Sequence, residues 1–92
     1  MKVSDIDIGQ VVKSIQGRDK GKFFIVIERI DNDYLLLVDG KIRKMDKPKK
    51  KKVKHLVKLN MQSEEVKDRV LNNKKMNNAF IRRELERLEV NV

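Results

Sequence analysis

Five consecutive apolar residues, Phe23, Phe24, Ile25, Val26 and Ile27, constrain this chain more than any other feature. They lie within residues 22–30 (KFFIVIERI), rich in the β-branched and aromatic side chains that favour a pleated strand. A strand with one wet face alternates apolar and polar residues. This one does not, so both of its faces need cover. The interior of a small barrel supplies one cover and a further packed element the other.

Other short runs surround it. Residues 10–15 (QVVKSI) and 34–38 (YLLLV) read as strands, and 41–45 (KIRKM) and 55–59 (HLVKL) as weaker ones. Asp31-Asn32-Asp33 is turn chemistry. Asp39-Gly40 between two strand-like runs predicts a two-residue hairpin with both residues at positive φ, and Pro48 ends the strand that follows. Five short strands without a helical pattern predict a mainly β barrel or sandwich.

The period changes after residue 60. Ser63 can cap a helix opening with Glu64 and Glu65, whose charges suit its positive end. Val66, Val70 and Leu71 fall roughly on one side of it. Asn77 or Asn78 can cap a second helix with an apolar stripe of Ile81, Leu85 and Leu88. The expected organisation is a barrel over residues 1–60, with a basic arm at 47–54, and a helical extension of one or two short helices over 61–92.

Several function classes are disfavoured. A chain of 92 residues makes one small domain with a modest core, poor material for a deep catalytic cleft. Cysteine is absent and His55 is the single histidine, so neither disulfides nor a multi-histidine or cysteine metal site is expected. Asp5 with Asp7, and Asp31 with Asp33, are spaced like carboxylate pairs, but they flank turns without a histidine nearby and read as capping groups. Residues 17–22 lack the ending of a phosphate-binding P-loop. No enzyme activity, cofactor or metal is expected. No stretch approaches the roughly 20 apolar residues that span a bilayer, and the N-terminus has no signal-like apolar run, so no membrane partner and a cytoplasmic location are expected.

Charge is concentrated. Residues 1–40 carry a net −1, residues 61–92 a net +1, and residues 41–60 hold ten basic side chains against one acidic, a net +9. A patch of this density implies a polyanion partner.

Gly9-Gln10-Val11-Val12, Gly17-Arg18-Asp19-Lys20-Gly21-Lys22 and Ile25-Val26-Ile27 together resemble the KOW motif, a strand, a glycine-bearing loop and a second strand. The continuation through Ile30-Asp31 and Leu36-Leu37-Val38-Asp39-Gly40 is similar to the L-fourteen-e type of large-subunit ribosomal protein in archaea and eukaryotes, and to short KOW RNA-binding proteins of Gram-positive bacteria. The resemblance covers about residues 8–60. It implies an SH3-like (KOW) barrel of about five strands and RNA binding within a ribonucleoprotein of translation.

The residues agree with that implication. Gly17 and Gly21 permit positive φ and close approach to a phosphate or base, and Arg18, Lys20 and Lys22 offer charge-assisted contacts. Lys13 precedes that loop, and Lys41, Arg43 and Lys44 lie on the fourth expected strand. Lys47, Lys49, Lys50, Lys51, Lys52 and Lys54 read as a phosphate-tracking arm, with a solvated loop as the alternative. These fifteen residues are the expected RNA contacts. Phe23 and Phe24 read as core, and Tyr34 as either core or surface. So few aromatics favour backbone and shape recognition of folded RNA over base stacking along a single strand. The expected partner of this monomer is RNA, foremost ribosomal RNA or the large subunit. The alternatives are a regulator of another structured RNA and a module whose C-terminal helices dock on a protein partner.

Overall fold

In a computed structural model, which describes residues 1–90, five strands form in chain order. They are β1 (Gln10–Ser14), β2 (Phe23–Arg29), β3 (Tyr34–Val38), β4 (Lys49–Lys52) and β5 (Leu56–Gln62). Two helices follow, α1 (Glu64–Leu71) and α2 (Asn78–Arg87). The strands make one antiparallel sheet in the order β4-β3-β2-β1-β5.

That order forces the sheet to roll. β4 and β5 are its two outer strands, yet only the 3-10 turn Val53–His55 joins them. Four residue steps reach at most about 14 Å, whereas the outer strands of a flat five-stranded sheet would lie about 19 Å apart. Bulges at Val26/Glu28 and Gln10/Val12 help the bend. No ladder joins β4 to β5 among the described residues, so the roll stays open.

Rolling explains the apolar run in β2. Phe24 and Val26 point inward, where they meet Val12, Leu35, Leu37 and Leu56, and Val3, Ile6 and Ile8 plug this core. Ile25 points outward with Val11 and Val38 and is covered by Val66, Phe80, Ile81 and Leu85. Ile25 and Val26 are both fully buried, on opposite faces. The element expected to cover the second face is therefore the helical pair. Of the expected stripe on α2, Ile81 and Leu85 are buried and Leu88 is half-buried.

Side chains lock the helices in place. Ser63 Oγ accepts from the Val66 amide at 3.1 Å and donates to Glu84 Oε1 at 2.6 Å, so the cap of α1 also holds α2. Arg87 hydrogen-bonds the same Glu84 carboxylate and, with the Ser63 bond, holds it below its usual range against the opposing effect of burial. Asn77 caps α2 by accepting from the Phe80 amide. The Arg69 guanidinium lies 3.9 Å from the centre of the Phe80 ring. Asp7 accepts from Lys67 and Gln62, which ties the N-terminal segment to α1 and β5 and holds its carboxyl at about 2.

Two expectations are corrected. Residues 41–45 form no strand. Asp39 Oδ1 accepts from the amides of Lys41 and Arg43, the Met45 amide donates to Asn78 Oδ1, and Arg82 donates to the Gly40 carbonyl. Contacts to α2 thus draw this segment away from the sheet, and of the expected hairpin pair only Gly40 has positive φ. The fourth strand is instead the lysine run itself. Expected as a phosphate-tracking arm, residues 49–52 pair with β3, Lys52 opposite Tyr34 and Lys49 opposite Leu37. Alternation along that strand gives its lysines two different environments.

Candidate nucleic-acid interface

The loop from β1 to β2 is fixed from within. Gly17 and Gly21 have φ of +89° and +87°, the left-handed region that glycine enters freely. With those turns the Gly21 amide reaches the Ser14 carbonyl at 2.8 Å, and Asp19 turns inward while Arg18 and Lys20 stay exposed. Asp19 Oδ1 accepts from Ser14 Oγ and from Lys51 Nζ, each at 2.7 Å. Lys51 comes from β4, is 8% exposed, and also donates to the Gln16 carbonyl. Burial opposes the Asp19 charge, but the Lys51 and Ser14 hydrogen bonds outweigh it and hold the carboxyl below its ordinary range. One inward lysine therefore spans the open side of the roll.

The loop from β3 to β4 lies at the same end. A cleft of about 380 Å³ separates the two loops, lined by Lys20, Gly21, Lys22 and Phe23 on one side and by Asp39, Lys41 and Ile42 on the other. An added Cβ at Gly21 would meet nothing within 4 Å, so the loop backbone is open to a ligand there. Phe23 is half-buried in the cleft, with Lys13 Nζ 5.6 Å from its ring centre. Ile42 is 64% exposed. Of the four ion pairs among the described residues, none uses Arg18, Lys20, Lys22, Lys41, Arg43, Lys44 or Lys47. The cleft thus combines three ammonium groups outside any ion pair with exposed backbone and an aromatic edge, while the Asp39 carboxylate at its wall is engaged by backbone amides; that set suits a phosphate chain with a base beside it.

The expected contacts divide accordingly. Lys20, Gly21, Lys22 and Lys41 line the cleft, Lys13 flanks it over Phe23, and Gly17 and Arg18 sit further round the same loop. Arg43, Lys44 and Lys47 continue along the opposite loop, with Lys49 half-buried where β4 begins. Lys50 and Lys52 stand apart, beside Tyr34. Lys54 is exposed in the turn before β5. Lys51 has its charge taken up by Asp19. The sequence reading did not place Phe23 and Ile42 at the site. Phe23 shares the outer face with Ile25 but stands directly after the basic loop, where the cover from the helices thins, and that position was the available signal.

Two other depressions lack that combination of groups. A larger one, about 490 Å³, lies between Lys2–Ser4 and the β2–β3 turn and has no aromatic lining. Another, about 270 Å³, runs along β5. The acidic pairs act on backbone: Asp31 accepts from the amides of Asp33 and Tyr34, and Asp5 from that of Lys2. Among the described residues no helix is long and apolar enough to cross a membrane. No family model matches the chain, and no curated protein matches it.

Proposed function

We propose that this chain is a non-enzymatic RNA-binding protein, associated with the ribosome in the cytoplasm, that grips folded RNA with the cleft between its β1–β2 and β3–β4 loops. The observation that carries the reading is the convergence of Lys20, Lys22 and Lys41 on an open glycine backbone beside Phe23. The resemblance of residues 8–60 to KOW ribosomal proteins supports it, as does the rolled five-stranded sheet, which suits an SH3-like barrel. Phosphate contacts dominate the affinity and base contacts at Phe23 add selectivity.

Replacing Lys20, Lys22 and Lys41 together by alanine tests it. Each lost charge-assisted contact lowers affinity for a ribosomal RNA stem–loop about tenfold, from roughly 1.5 kcal/mol apiece. The log–log salt slope falls by about 2 units, at about 0.7 per contact. Melting stays near wild type, because exposed substitutions usually remain within about ±0.5 kcal/mol. Unchanged affinity and slope would refute the assignment. Co-sedimentation of the wild-type protein with large subunits at low salt, lost in the variant, supports residence on the ribosome rather than on another RNA.

A further inference from the structure

The outer face of β3 and β4 carries the chain's only tyrosine. Its position is fixed by backbone contacts. Asp31 Oδ1 accepts from the Tyr34 amide at 2.9 Å, the Ile30 amide donates to the Tyr34 carbonyl at 3.0 Å, and the Val53 amide donates to the Asp33 carbonyl at 2.7 Å. Register sets Tyr34 opposite Lys52 and Leu36 opposite Lys50. Leu35 and Leu37 turn into the inner core, so Tyr34, Leu36, Lys50 and Lys52 share the opposite face. Lys50 Nζ lies 4.8 Å and Lys52 Nζ 5.8 Å from the tyrosine ring centre. Neither lysine belongs to an ion pair among the described residues.

We propose that Tyr34, Lys50 and Lys52 form a nucleotide subsite of their own, in which an unpaired RNA base stacks on Tyr34 and its flanking phosphates meet the two ammonium groups. The inference rests on the RNA-binding reading and adds a ligand class to it, single-stranded RNA beside a folded element. The subsite is distinct from the cleft, since Tyr34 opens β3 while the cleft lies beyond Val38 at its other end. Exposed Lys50 holds the ring only by a weak cation–π contact. A base that displaces it gains a stacking surface and leaves the ammonium free for the adjoining phosphate. An acidic peptide would engage the charges but gain nothing from the ring. Phosphate and planar base together match all three side chains.

The protein supplies its own reporter. With one tyrosine and no tryptophan, its tyrosine emission comes from Tyr34 alone. Short oligouridylate should quench that emission, and added salt should weaken the quenching. Heparin and polyglutamate, which lack bases, should bind without comparable quenching. Tyr34→Leu should weaken oligouridylate about tenfold while leaving the affinity for a ribosomal RNA stem–loop within about twofold. Lys50→Ala with Lys52→Ala should abolish the quenching. Equal quenching by heparin or polyglutamate would overturn the subsite in favour of a general anion or acidic protein surface. Absence of quenching with the stem–loop still bound would overturn the subsite alone. Binding of neither RNA would overturn the subsite and the proposed function together.

Discussion

Gly9→Ala unfolds the protein at temperatures where Gly21→Ala remains folded, although both glycines have φ of +87°. The strain of placing an L side chain at that φ is common to both and costs about 1–2 kcal/mol. The surroundings differ. At Gly21 the added methyl enters open space. At Gly9 it would run into the backbone carbonyl oxygen of Ser63, which cannot rotate aside. Ser63 is held there by its own amide, which donates to the Gly9 carbonyl at 2.8 Å, while the Gly9 amide donates to Val26 at 2.8 Å. Relieving the clash must therefore move the start of α1 and disturb the buried Ser63–Glu84 contact. The total loss for Gly9→Ala is about 3 kcal/mol or more. At roughly 4–8 °C per kcal/mol for a domain of this size, its midpoint falls by about 12–24 °C or more, against about 4–16 °C for Gly21→Ala. Thermal melts followed by circular dichroism check both; equal midpoints would show that Gly9 is not pinned against Ser63.

Lys51→Ala is the second large effect. It removes the charge that faces Asp19 across the roll and leaves a part-buried carboxylate whose Oδ2 already has no partner. Breaking a fully buried pair from one side costs roughly 3–5 kcal/mol; the residual exposure of Asp19 and the field of Lys49 bring the loss here to about 2 kcal/mol. Lys51→Met combined with Asp19→Asn removes both charges and recovers most of that loss. The sign with pH follows from Asp19. Its folded-state pKa is depressed, so the pair's contribution is fully present above the ordinary carboxylate range and disappears as pH falls through the depressed value. The gap between wild type and Lys51→Ala therefore narrows on acidification. Urea melts of the wild type and both variants at neutral and acidic pH measure it; a Lys51→Ala midpoint equal to wild type at neutral pH would make Lys51 one more solvated lysine.

That pair also marks where the sequence stopped being readable. Local chemistry was enough for much of the fold. Asp31 and Asn32 announced the turn that starts β3 at Tyr34, Ser63 and Asn77 announced the caps of both helices, and the unbroken run in β2 announced cover on two faces. The lysine run defeated local reading because lysine disfavours strands and adjacent charges repel. Its strand exists through contacts distant in sequence: the backbone ladder with β3, and Asp19 for Lys51. Residues 41–45 failed the other way, since a good Asp-Gly turn signal was overridden by Asn78 and Arg82, more than 30 residues later. In the candidate site, the glycines and cations of the β1–β2 loop could be named from the sequence. The opposition of Lys41 and Ile42 to Lys20, Lys22 and Phe23 across a cleft emerges only once the sheet rolls.

The most direct test of RNA recognition at the loop end is an amide chemical-shift titration of isotope-labelled protein with a ribosomal RNA stem–loop at low salt. The largest shifts should fall on residues 17–23 and 39–44, while the amides within α1 and α2 stay in place. Shifts centred on α1 and α2 with both loops unmoved, or no shifts at all, would contradict it.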